Sequence, residues 1–118
     1  VMLTFLLLMQ VGAAVHDHFP GSDWITEDTK RLVQPYWDCA HSAAKMLERS
    51  GEAADLIAVA AKKECEGQEL DLWARYVVDS IAADQTEGIQ TSFESFEAEL
   101  EESLIHQVVL IRASRAND

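Results

Sequence analysis

The chain has 118 residues, 48% of them apolar, and carries 21 acidic against 9 basic residues for a net charge of −12. That length suits a single domain with one modest core. A chain this acidic repels phosphate backbones and anionic lipid surfaces, which argues against nucleic-acid binding. It favours a basic protein, a cationic peptide or a divalent metal as partner, set against the plainer reading that the charge only maintains solubility.

Residues Val1 to Met9 are apolar apart from Thr4, and the small residues Gly12, Ala13 and Ala14 follow shortly after. An apolar stretch ending in small residues reads as a secretory signal peptide, so residues 1–14 are expected to be removed on export to the periplasm or beyond. The run falls short of the roughly 20 residues that span a bilayer. The basic residues that should open a signal peptide are missing, the first being Lys30, so the true start is expected upstream. Left uncleaved, the segment would anchor the protein. That is the alternative location and the one expected route to a membrane.

Residues 15–34 read as a leader. Cleavage after Ala13 would leave Ala14-Val15-His16 at the mature terminus. A free amine, two amides and a histidine in third place suit square-planar Cu(II) or Ni(II), and Asp17 and His18 follow. His16 and His18 are thus the candidate metal ligands, against the alternative of incidental histidines. Thr26 to Val33 forms a short helical turn, capped by Thr26 with Glu27 and Asp28 in its first turn. Pro35 interrupts it, because the residue before a proline avoids the helical region.

The helical domain is expected over residues 35–118. A first helix runs from Pro35 to about Glu48, with Tyr36, Cys39, Ala43, Met46 and Leu47 on its period. Gly51 ends it and Ser50 caps the next. A second helix starts near Glu52. Its face of Ala54, Ile57, Ala61 and Cys65 continues in phase through Gln68, Leu72, Tyr76 and Asp79. One long helix to about Ala83 is expected, bent at Gly67, with a break at Gly67 as the alternative.

The chain has two cysteines, Cys39 and Cys65. Reversal at Ser50-Gly51 places them about 11 residues before and about 14 after the turn, nearly level at 1.5 Å of rise per residue. Ala40, Ala43 and Ala44 face Ala54, Ala58 and Ala61, small enough for the close approach a disulfide requires. A Cys39–Cys65 disulfide is therefore expected. A zinc site using Cys39, His41 and Cys65 lacks a fourth ligand, and a reactive thiol pair lacks the C-x-x-C spacing.

Asp84 to Gln90 is polar and reads as a connection. Thr91 with Glu94 forms a capping-box pattern. The last helix, Ser92 to about Ser114, carries Phe93, Phe96, Leu100, Leu104, Val108 and Ile111 at intervals of three and four, as a buried face requires. The expected fold is all-α: a small antiparallel bundle of three main helices with a disulfide-stapled hairpin. Trp37 and Trp73 belong to its core, and Trp24 covers one end.

Between Tyr76 and Ile111 the chain has eight acidic residues and no lysine or arginine. Glu94, Glu97 and Glu101 share one side at helical spacing, crowding like charges. They are the candidate contacts to a cationic partner; a solvated face is the plainer reading. No EF-hand loop is present. Glu102 and His106 fit a surface hydrogen bond rather than a di-iron site, which needs Glu-x-x-His on two helices. No H-E-x-x-H, G-x-S-x-G, Walker A or dinucleotide pattern occurs. No catalytic residue and no cofactor are therefore expected. The expectation is a non-enzymatic interaction module, with metal handling through the leader histidines as the alternative.

Overall fold

A computed structural model of the chain describes residues 19–20 and 23–117. The expected signal segment, residues 1–14, and the candidate metal ligands His16 and His18 lie outside the described residues. Four α-helices follow one another: α1 Glu27–Leu47, α2 Ala54–Glu64, α3 Glu66–Ala82 and α4 Ile89–Ala116, with a 3-10 turn at Glu48–Ser50. Among the described residues there is no strand, and no helix is long and apolar enough to cross a membrane. The chain is an all-α bundle whose second arm comes as two successive helices.

Helix α1 corrects the expected interruption at Pro35. It starts at Glu27, where the Thr26 side chain accepts from the Thr29 amide at 3.3 Å, and runs through Pro35 to Leu47. Its buried residues Thr29, Val33, Tyr36, Ala40 and Ala44 form an unbroken stripe across the proline. Pro35 lies on the exposed side, so the carbonyl one turn earlier that loses its amide partner can reach water. The buried face is also rotated from the expected one, and Met46 is 77% exposed.

The hairpin turn falls where expected. Gly51 takes φ 79°, a conformation that favours glycine, and its amide donates to the Glu48 carbonyl at 3.3 Å. Ser50 does not cap α2: its hydroxyl accepts from the Glu52 amide at 3.3 Å, and Ala53 holds the N-cap position with no side-chain bond.

Cys39 and Cys65 are joined by a disulfide with their Cα atoms 6.0 Å apart. Ala40, Ala44, Ala58 and Ala61 are fully buried beside it, which lets the backbones approach closely. The expected single long helix is interrupted at Cys65 (φ −107°, ψ 26°) rather than at Gly67. The Cys65 amide bonds back three residues to Lys62, and the helical pattern resumes with Glu69 bonding to the Cys65 carbonyl. A disulfide to α1 holds this residue inward, and the chain changes helix there. Gly67 lies within α3.

The break decides the layout. Helix α2 packs on both α1 and α4, whereas α3 packs on α1 and touches α4 only sparsely. The wedge left between α3 and α4 is filled by aromatic rings. Phe19 stands edge-on to Tyr76 (5.3 Å) and Phe96 (4.8 Å), and Trp24 stacks on Tyr76 at 5.2 Å, covering that end of the bundle as expected. Helix α4 begins at Ile89 after Gly88 at φ 75°. Thr91 is therefore inside the helix, its carbonyl accepting from Ser95, and the capping box with Glu94 does not form.

Three polar ties lock the helices. Asp79 on α3 accepts from the Thr29 hydroxyl (2.6 Å), the Thr26 amide (2.8 Å) and the Thr26 hydroxyl (3.1 Å). Glu48, 2% exposed, receives Arg115 from α4, while Arg112 donates to the Glu48 and Glu52 carbonyls at 3.3 and 2.6 Å. His41 lies between Gln107 (2.6 Å at Nδ1) and Ser103 (3.1 Å at Nε2) of α4, so both of its ring nitrogens are engaged within the fold.

Candidate functional site

The wedge between α3 and α4 opens to the surface as a groove of ≈ 300 Å³. Its depth is set by Trp73 of α3 and Phe93 of α4, which stack with centroids 5.0 Å apart and planes 7° from parallel. Phe93 is buried and Trp73 half-buried. Leu70 adds an apolar wall, and Glu69, Glu94, Glu97 and Gln90 line the remainder. The Gln90 amide donates to Glu94 at 3.3 Å, which leaves its own oxygen as an acceptor.

Below the rim lies a carboxylate pair bridged by a phenol. The Tyr36 hydroxyl, on α1, is 2.7 Å from Glu97 and 3.0 Å from Glu69. A phenol has one proton and donates to one carboxylate at a time, so the second contact is a hydrogen bond only when a carboxyl supplies the proton. Burial first, and then the Glu69 carboxyl, push Glu97 up to about 7, against the pull of Tyr36 and Lys62. Burial and the Glu97 contact drive the Tyr36 hydroxyl far above its usual value, so it stays a neutral donor. Lys62 of α2 reaches Glu97 at 3.5 Å and Glu101 at 3.1 Å.

The three glutamates singled out by spacing therefore have different surroundings. Glu94 is exposed on the groove rim, Glu97 is half-buried in the phenol network, and Glu101 pairs with Lys62. The like charges do not stand uncompensated, because α2 delivers a lysine between two of them. Tyr36, Glu69 and Lys62 were not legible as site residues. Tyr36 reads as a member of the α1 apolar stripe and Glu69 and Lys62 as polar residues beside one, and they meet Glu97 from three other helices.

His41, Ser103 and Gln107 also stand in a row. The Gln107 amide nitrogen donates to the His41 carbonyl at 3.2 Å, which turns its oxygen toward Nδ1. Nδ1 then carries the proton and Nε2 accepts from Ser103. Ser103 sits mid-helix, where the neighbouring amides are spent on the helix itself, so this row works as a clasp between α1 and α4. Among the described residues no group of three or more His, Cys, Asp or Glu is placed to hold a metal ion.

No protein-family model matches the chain, and neither a curated protein nor a solved structure matches it. The disulfide points to an oxidising, extracytoplasmic compartment, where such bonds form and persist.

Proposed function

We infer that this is an exported, non-enzymatic interaction module that binds a cationic protein through the acidic side of α4, in the periplasm or outside the cell. One observation carries the reading: among the described residues, a single basic side chain answers the charge along α4 from within the fold. The helix carries Glu94, Glu97, Glu99, Glu101 and Glu102, and among the described basic residues only Lys62 forms a salt bridge with any of them. Glu94, Glu99 and Glu102 stay exposed. A face of one sign raises the local concentration of an oppositely charged partner and speeds its docking. Export is supported by the Cys39–Cys65 disulfide together with the apolar N-terminal run.

Calorimetric titration of the oxidised protein with an oligo-arginine peptide, in low and high salt, tests this. Binding in low salt that fades in high salt is expected. Glu94→Gln/Glu99→Gln/Glu102→Gln should weaken it several-fold, and a control neutralising Glu27, Asp28 and Glu52 should not. Equal losses in both variants would reduce the effect to net charge and overturn the reading.

A further inference from the structure

The groove between α3 and α4 differs from the rest of the acidic surface, because its carboxylates stand around an aromatic floor. A purely apolar guest would strip water from Glu69 and Glu94 without replacing it, which is costly. An anion would be repelled. A bare metal ion would use the carboxylates and waste Trp73, Phe93 and Leu70. An ammonium would satisfy charge at one point. A planar guanidinium alone matches all of it: it stacks on an indole face, pairs two-pronged with a carboxylate, and offers further N–H groups to the Gln90 oxygen.

The geometry points to this groove as the seat of one arginine side chain from a protein partner, lying on Trp73 and held by Glu69, Glu94 and Glu97. This rests on the reading above that the partner is a cationic protein, and supplies its anchor. Arrival of the guanidinium has a proton consequence. Glu97 is faced by Tyr36 from α1, Lys62 from α2, Glu69 from α3, and Glu94 and Glu101 on its own helix. A cation added to that set favours the ionised carboxyl, so binding releases a proton from Glu97 and strengthens as pH rises through neutrality.

The test is a ¹⁵N NMR titration of the oxidised protein with acetyl-Gly-Arg-Gly-amide. Parallel titrations use the same peptide carrying citrulline or lysine, and spermidine. With the arginine peptide the Trp73 indole N–H and the Gln90 side-chain amide should shift. The citrulline peptide, matched in shape and uncharged, should leave both in place. Trp73→Leu should weaken binding about three- to fivefold, the scale of an exposed cation–π contact. Glu94→Gln, at an exposed position that leaves the core intact, should weaken it about twofold. Equal shifts with arginine and citrulline would overturn the proposal, as would lysine peptide or spermidine binding as tightly as the arginine peptide. Shifts confined to the surroundings of Glu99 and Glu102 would overturn the groove and leave the interaction reading standing. Failure of the oligo-arginine titration would remove that reading itself.

Discussion

The hydroxyl of Tyr36 lies 2.7 Å from Glu97, a residue 61 positions away, and the same hydroxyl reaches Glu69 at 3.0 Å. One phenol thus joins α1, α3 and α4 at the foot of the groove. It donates to one carboxylate at a time, and Glu97, pushed up to about 7, carries a proton of its own in part of the molecules at neutral pH.

Glu97 sets a pH dependence whose sign follows from its raised value. Its ordinary value is 4.5 and its folded value about 7. Between these the unfolded chain has lost the proton and the native protein still holds it, so native stability falls as pH rises across that window. The loss levels off above pH 7. Glu97→Gln keeps an acceptor for Tyr36 without the charge. It should match the parent protein near pH 4 and exceed it at pH 8 by up to about 3 kcal/mol. Urea denaturation at the two pH values checks this; an identical gap at both would show that Glu97 does not titrate in the window.

The Cys39–Cys65 bond closes a loop of sequence separation 26. In the chain-entropy model, cutting it destabilises the fold by about 3 kcal/mol. Thiol titration of the oxidised protein under denaturing conditions should find no free thiol. Reduction, or Cys39→Ser/Cys65→Ser, should lower the melting temperature. A reduced protein melting at the oxidised temperature would contradict the staple.

Asp79 holds the first turn of α1 from the far end of α3. Burial opposes its charge, but the bonds from Thr29 and Thr26, with Arg75 nearby, outweigh burial and hold the carboxyl below its ordinary value. This stability is present above the unfolded value and is lost as pH falls through the folded one. Asp79→Ala leaves the Thr26 amide and Thr29 hydroxyl without their acceptor and should cost about 2 kcal/mol. The stability gap between the two proteins should narrow in acid, where the parent carboxyl loses its charge but keeps an accepting oxygen.

His41 is held below its ordinary value of 6.5, chiefly by burial, with the Gln107 contact and Asp38 acting the other way. As pH falls below 6.5 the unfolded chain takes up a proton that the native protein resists, so the α1–α4 clasp weakens on the acid side. The imidazole Cε1–H resonance should titrate with a midpoint under 6.5. A midpoint above it would mean that the ring is charged in the clasp.

Much of the fold was readable because it is periodic. Phe93, Phe96, Leu100, Leu104 and Val108 are buried on α4 as their spacing requires. Leu72, Tyr76 and Asp79 continue the phase of Ile57 and Ala61, and the Ser50-Gly51 turn placed the cysteines level. Two breaks were misread. Pro35 satisfies the local rule for a stop, yet its outward position lets water take the freed carbonyl while the buried stripe runs on. Cys65 shows no local stop signal; its break comes with a long-range bond to α1. The site was harder. Its acidity and Trp73 stood out, but the aromatic stack and the Tyr36–Glu97–Lys62 network exist only once four helices meet.

Phe19 gives the molecule a fixed point of departure. Its ring is wedged against Tyr76, Phe93 and Phe96, so Phe19 itself lies beside the aromatic floor of the groove. The far end of α4, where Arg115 meets Glu48, is roughly 30 Å of helix away from Phe96 at 1.5 Å per residue. A bulky partner joined directly at Phe19 would stand nearer the groove than one joined after α4. Surface-coupled binding measurements on the two attachments should therefore differ in on-rate for the same ligand.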